Sequence, residues 1–172
     1  MKTIIARVTH SLMTTALARP KTAHEIERKF LVQALPPNLK SCDNRPIEQG
    51  YFAAKRDGTQ VRLRKAGTQF SLTFKRGRGF KRREWEIGLL PEQFHELWPS
   101  TEGRRLRKTR FDVPYGDLII EIDIYAGVNQ GLIVAEVEFD DEKQCLDFGP
   151  PEWFGEEVTG RSRYSNVRLA RE

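Results

Sequence analysis

Glu25, Glu27 and Lys29 alternate along the stretch His24–Val32, with apolar Ile26 between the two acids. In an extended strand successive side chains point to opposite faces, so these three share one face. Two carboxylates beside an ammonium offer oxygen ligands to a hard cation next to a donor for an anion. The alternation returns as Arg62/Arg64, Glu84/Glu86, Lys108/Arg110, Glu121/Asp123 and Glu136/Glu138. A chain that aims paired charges in one direction this often is expected to line a cavity with them, and the matching cargo is a polyanion carried with metal.

The acids form co-facial pairs. In Leu118–Tyr125 and Leu132–Phe139 they alternate with isoleucine, valine and phenylalanine, so the opposite face is apolar and buried. Stacked carboxylates raise one another's pKa unless a cation intervenes. Oxygen-only ligation, without His or Cys, points to magnesium, manganese or calcium. An edge strand charged against aggregation accounts for one such pair but poorly for four. The basic set is Lys29, Arg62, Arg64, Lys75, Lys108 and Arg110. Guanidinium groups bind phosphate in a bidentate fork, whereas lysine acts as a point charge. Taken alone, Val61-Arg-Leu-Arg64 reads as a solvated strand face; acids on neighbouring strands turn the reading toward an enclosed lumen. Arg76-Gly-Arg-Gly79 lacks the Gly-Lys-Ser/Thr ending and following helix of a phosphate loop and reads as a hairpin tip. Ser71, Ser162, His24 and His95 show no nucleophile–base spacing, and the three tryptophans read as core.

These side chains need strands to carry them. Strands are expected over His24–Val32, Ile47–Ala54, Thr59–Lys65, Gln69–Arg76, Lys81–Leu89, Arg104–Val113, Asp117–Tyr125 and Leu132–Asp140. Asp57-Gly58 and Ala66-Gly67-Thr68 are hairpin-type turns. Pro91–Trp98 has a first-turn proline and apolar residues at helical spacing. Asp140–Asp147 and Ser162–Arg171 also read as helices. Tight turns between consecutive strands, with no βαβ rhythm, argue an α+β fold built on an antiparallel sheet. Charges opposite apolar positions predict that it closes into an eight-stranded barrel with a polar lumen and short flanking helices.

The formal charge of +5 over 172 residues invites a nucleic-acid reading, but its distribution opposes one. Residues 1–23 carry Lys2, Arg7, Arg19 and Lys21 and no acid, which leaves residues 24–172 at only +1. That section is not a phosphate-backbone coat. Residues 1–23 are expected to be a disordered basic leader, with Arg7 and His10 interrupting any secretory hydrophobic segment. Residues 24–172 are expected to form one domain. Cys42 and Cys145 stand outside any C-x-x-C or histidine cluster, so a reducing cytoplasmic setting without disulfides is expected. No run approaches the length of a membrane span.

Taken together, these residues resemble the CYTH family, the triphosphate tunnel metalloenzymes, in its compact bacterial form. Glu25-Ile-Glu-Arg-Lys29 matches its opening E-x-E-x-K. Gln49-Gly-Tyr51, Val61-Arg-Leu-Arg64, Leu72-Thr-Phe-Lys75, Arg83-Glu-Trp-Glu86, Lys108-Thr-Arg110, Glu121-Ile-Asp123, Ala135-Glu-Val-Glu138, Val158-Thr159 and Arg163-Tyr-Ser-Asn166 follow in order. The resemblance implies an eight-stranded tunnel binding triphosphates with Mg²⁺ or Mn²⁺. By position it implies Glu25, Glu27, Glu136 and Glu138 as metal-binding acids, with Asp123 assisting. Lys29, Arg62, Arg64, Lys75, Lys108 and Arg110 would hold the phosphates, and Glu25, Glu27, Lys29 and Glu86 are the catalytic candidates. The expected activity is metal-dependent hydrolysis of a small triphosphate, foremost inorganic tripolyphosphate, with ATP and thiamine triphosphate as other substrates. A class IV adenylate cyclase and a non-catalytic polyphosphate-binding module are the alternatives. Neither nucleic acid nor membrane is an expected partner, and the chain is expected to act as a monomer or homodimer.

Overall fold

Period-two alternation is realised strand by strand in the computed structural model, which describes residues 26–54, 57–76 and 83–171. The strands are β1 (Ile26–Val32), β2 (Asp43–Ala54), β3 (Gln60–Ala66), β4 (Gln69–Arg76), β5 (Arg83–Gly88), β6 (Arg105–Tyr115), β7 (Leu118–Ala126), β8 (Ile133–Phe139) and β9 (Phe154–Glu157). They form one antiparallel sheet in the order β5-β4-β3-β2-β6-β7-β8-β1-β9. Between β3 and β4 the chain turns at Gly67, whose φ of +58° lies in the left-handed region that glycine enters without a Cβ penalty.

One face is apolar and packed from outside. Phe30, Val113, Ile120, Ile122, Ala135, Val137 and Phe139 form a core with Leu39, Phe148 and Phe154. Helix α2 (Glu142–Asp147) borders this core, capped by the Asp141 side chain, which accepts the Gln144 N–H at 2.8 Å. Helix α1 (Pro91–Leu97) covers β4, with the Phe94 and Phe70 rings 4.9 Å apart. On the opposite face the charged residues give way at one end to Tyr51, Leu106, Tyr125 and Val134, which pack with Ala170 next to helix α3 (Asn166–Leu169). Each lies two residues from a polar member of the same face, so the alternation continues while the chemistry changes. Among the described residues no helix is long and apolar enough to cross a membrane.

Two expectations require correction. Among the described residues the sheet has nine strands and is not a closed eight-stranded barrel: its edges β5 and β9 are not paired with each other. The free edge of β1, where closure would occur, is taken by β9 through Phe30↔Glu157 and Val32↔Phe154. The Val158 N–H adds a bond to the Lys29 carbonyl at 2.8 Å. β9 spans four residues beside Pro150 and Pro151, too few for alternation to register. The helix expected over Ser162–Arg171 is broken into a 3-10 turn (Ser162–Tyr164) and α3, because Ser165 caps a new turn by accepting the Arg168 N–H. The expected leader, the start of the first strand at His24 and the tip at Gly77–Gly79 lie outside the described residues.

Gly50 in β2 is a close approach. A Cβ there would stand 2.4 Å from Thr101 Oγ1. Thr101 cannot retreat easily, since its hydroxyl donates to the Trp98 carbonyl and accepts from Arg105 Nε. Gly50→Ala is expected to cost about 1–3 kcal/mol by overpacking, a fall in Tm of roughly 3–10 °C for a chain this size. Scanning calorimetry tests this against Gly88→Ala, where a Cβ meets nothing within 4 Å.

Candidate active site

A cavity of about 980 Å³ is lined by inward residues of β1 through β8, so the sheet must curve around it. Residues from the segment 158–167 complete the lining. Antiparallel register brings the charge pairs face to face.

The cationic wall comes from β3 and β4. Arg64 lies 3.1 Å from Glu86, Lys75 lies 2.6 Å from Glu84, and Arg62 lies 3.7 Å from both acids. Thr73 on β4 stitches the group together, donating to Glu86 at 2.8 Å and accepting from Arg62 at 3.1 Å. Arg62 Nε is buried without a hydrogen-bond partner among the described residues, a donor left for an oxygen the chain does not supply. Burial and the neighbouring Arg62 hold Arg64 below its ordinary pKa, which an incoming anion would relieve.

The floor comes from β6 and β7. Arg110 grips Asp123 through Nε at 2.7 Å and Nη2 at 2.6 Å, and it also reaches Glu121 and Glu136. Lys108 pairs with Asp123 on its other side. Asp123 is fully buried and does not line the cavity; both its oxygens are engaged by these two cations. Burial pulls Lys108 down to about 8, with Arg110 acting the same way and Asp123 opposing. Burial raises Glu121 despite Arg110.

The acidic wall comes from β1 and β8. Glu27 stands directly opposite Glu138, and Lys29 opposite Glu136. Lys29 binds Glu136 at 2.5 Å. Burial alone would push the Glu136 carboxyl up, but Lys29, Arg110 and Lys108 outweigh it and hold the group well below the usual range. Burial would lower Lys29, yet Glu136, Glu27 and Asp123 leave it raised. Glu27 and Glu138 form no hydrogen bond or ion pair with any described residue, although like charges placed directly opposite repel.

No family model matches the chain. It is 45% identical over 148 residues to an inorganic triphosphatase from Nitrosomonas europaea, covering 85% of this chain and 96% of that protein. The chain belongs to the inorganic triphosphatase family. A second inorganic triphosphatase, from Acetivibrio thermocellus, is 33% identical over 150 residues, 86% of this chain and 93% of that one. A crystal structure of an inorganic triphosphatase superposes with a TM-score of 0.68 at 42% identity, covering 87% of this chain and 96% of that chain.

The donor set fits a hard divalent cation. Among the described residues no three His, Cys, Asp or Glu side chains group closely enough to cage a metal. Magnesium does not require a cage: it is usually held by one or two carboxylates together with substrate phosphates. Glu27 and Glu138 are the carboxylates here that no described cation pairs with, while Glu136 is taken up by Lys29 and Arg110. Glu25 lies outside the described residues. Lys29, Arg62, Arg64, Lys75, Glu86, Lys108, Arg110, Glu136 and Glu138 all line the same cavity as Glu27. Sequence reasoning assigned no role to Gln49, Tyr51 and Thr73, although they fall within the matched motifs Gln49-Gly-Tyr51 and Leu72-Thr-Phe-Lys75 on the charged faces of β2 and β4.

Proposed function

We propose that this chain hydrolyses inorganic tripolyphosphate to phosphate and pyrophosphate with Mg²⁺ or Mn²⁺, in a triphosphate-tunnel site of the CYTH type. The observation that carries the reading is one cavity with Glu27 and Glu138, unpaired among the described residues, on one wall and Arg62, Arg64 and Lys75 on another. Seven cationic and six acidic side chains contribute to the described lining, so the protein alone offers a highly charged polyanion little net attraction. Glu27 and Glu138 would hold a divalent cation, which when bound would supply the missing positive charge and Lewis-acid polarisation of phosphate oxygens.

The chain's own residues position and stabilise. Arg62, Arg64, Lys75 and Lys108 hold non-bridging oxygens and offset charge spreading over the transferred group. Arg110 and Lys29 keep Glu136 ionised and Asp123 fixed beneath Lys108; Asp123 acts as a positioning group rather than a metal ligand. Glu86, held by Arg64 and Thr73 through Oε2, is the carboxylate on the cationic wall available to accept a proton from attacking water. Water attacks phosphorus, the P–O–P bond breaks, and no side-chain nucleophile is required.

Purified protein incubated with tripolyphosphate, thiamine triphosphate or ATP, each with Mg²⁺ and Mn²⁺, tests the reading. Tripolyphosphate is expected to give phosphate and pyrophosphate fastest. Cyclic AMP from ATP, or tight binding without turnover, would contradict it.

The position of Lys108 also sets a pH dependence. With a pKa near 8 it is charged below that pH and neutral above. Capture of the polyanion, read as kcat/KM, is expected to fall as pH rises through about 8. In Lys108→Arg, always charged, that limb should vanish. Relative to an unfolded lysine near 10.5, keeping Lys108 charged costs stability below pH 8, and the cost is relieved as pH rises from 8 toward 10.5.

A further inference from the structure

Thr73 stands mid-row on the cationic wall, where register sets Arg62 of β3 on one side of it and Glu86 of β5 on the other. Neighbouring strands lie about 4.7–4.9 Å apart, so a whole strand separates Arg62 from Glu86. Arg62 Nη2 stops 3.7 Å from Glu86 Oε2, too far for a hydrogen bond. The Thr73 hydroxyl spans the gap: it accepts from Arg62 Nη2 at 3.1 Å and donates to Glu86 Oε2 at 2.8 Å. A hydroxyl has one hydrogen and a guanidinium has no acceptor, so with Glu86 ionised the direction of this chain is fixed. Thr73 is fully buried, which keeps solvent from replacing either bond. Arg64 donates to the same Oε2 at 3.1 Å, and no described hydrogen bond reaches Oε1. Thr73 itself does not line the cavity, so it acts only through these neighbours.

We propose that Thr73 is a positioning residue that holds the phosphate-binding Arg62 and the proton-accepting Glu86 in one fixed arrangement. The inference rests on the triphosphatase reading above. With Nη2 committed to Thr73, Arg62 keeps its Nε, unpaired among the described residues, for a phosphate oxygen. With Oε2 committed to Thr73 and Arg64, Glu86 keeps Oε1 for the attacking water. The water oxygen bonds to phosphorus and its proton passes to Oε1. The leaving phosphate takes the electron pair of the broken P–O bond, and Thr73 retains its own hydrogen throughout. Its donation favours the ionised carboxylate, the form able to take that proton. The charged groups around Glu86 are Arg62 and Arg64 from β3, with Lys75 of β4 and Glu84 of β5 paired beside them.

Steady-state kinetics on tripolyphosphate across a pH series, with thermal melts, test this. Thr73→Val puts a methyl group in place of the hydroxyl and is expected to lower kcat/KM about 10- to 100-fold, the range for a hydrogen bond to a charged group. The acidic limb of its pH profile should move to higher pH, because a carboxylate that loses a donor is protonated more readily. Thr73→Ser keeps the hydroxyl and should recover most of the rate and the position of the limb. In a Glu86→Gln background, Thr73→Val should cost less than in the wild type, since part of its effect passes through the carboxylate. Should Thr73→Val fail to fold, Thr73→Ala carries the same readouts with less bulk. An unchanged rate and limb in the hydroxyl-free variant would overturn the proposal. So would a rate that falls with Tm while the limb stays put, or a Thr73→Ser variant as impaired as Thr73→Val. Equal costs in both backgrounds would overturn the link to Glu86. A wild-type protein without tripolyphosphate turnover would overturn the functional reading, and this inference with it; active wild type beside unaffected Thr73→Val overturns the inference alone.

Discussion

Arg110→Met is expected to abolish tripolyphosphate turnover and to destabilise the fold by about 3–5 kcal/mol. Arg110 is the only described cation shared by Glu121, Asp123 and Glu136. Methionine fills similar space but leaves Asp123, which is fully buried, with Lys108 alone. Removing one partner of a buried ion pair costs that much because the other charge stays uncompensated. Urea denaturation reads the stability loss and phosphate release reads the activity. Arg64→Met is the contrast: Arg64 has Glu86 as its ion-pair partner, and that acid is partly exposed. Its loss should damage turnover with a much smaller change in stability. Equal destabilisation by both variants would contradict the description of Arg110 as the organising cation of the floor.

Glu27→Gln is expected to separate stability from activity in the opposite direction. Glu27 and Glu138 face each other, and among the described residues no cation pairs with either. Neutralising one relieves repulsion, a gain of a few tenths of a kcal/mol up to about 1, so the metal-free protein should melt slightly higher. Turnover should fall more than about 100-fold, since even groups standing behind metal ligands cost 10–100-fold when removed. Glu138→Gln should behave alike. The double variant should lose little beyond either single change, because the two act as one site. Melting curves with and without Mg²⁺ supply a readout besides activity: added Mg²⁺ should raise the Tm of the wild type and leave the double variant unmoved. A variant that keeps near-normal turnover would remove Glu27 from the metal site.

Much of this architecture was legible before any coordinates. Alternation in Leu118–Tyr125 and Leu132–Phe139 fixes which face is apolar, and the observed core contains Ile120, Ile122, Val137 and Phe139 from those strands. The same rule gathers Glu27, Lys29, Arg62, Arg64, Lys75, Lys108, Arg110, Glu136 and Glu138 into one cavity. What period two does not convey is depth. Asp123 shares a face with Glu121, yet it sits under the floor, where Lys108 and Arg110 converge from β6. Nor does it convey pairing partners. Glu84 and Glu86 read as a further acidic pair, but the register of β4 with β5 sets them against Lys75 and Thr73, and ion pairs tie them to the cationic wall. That the sheet stays open was not legible, because it turns on the short strand β9, whose pairing with β1 is written in backbone hydrogen bonds rather than side-chain pattern. Gln49 and Tyr51 were noticed only as part of the motif Gln49-Gly-Tyr51 and were given no role, because an uncharged donor on a charged face makes no charge pattern.

The measurement that bears most directly on the central claim is tripolyphosphate hydrolysis by protein freed of metal with a chelator and then titrated with Mg²⁺. A cavity whose described charges nearly cancel, with Glu27 and Glu138 unpaired among the described residues, predicts no turnover at zero metal, saturable recovery on titration, and no recovery in the Glu27→Gln/Glu138→Gln double variant. Full activity in the chelated protein, or normal recovery in the double variant, would contradict it.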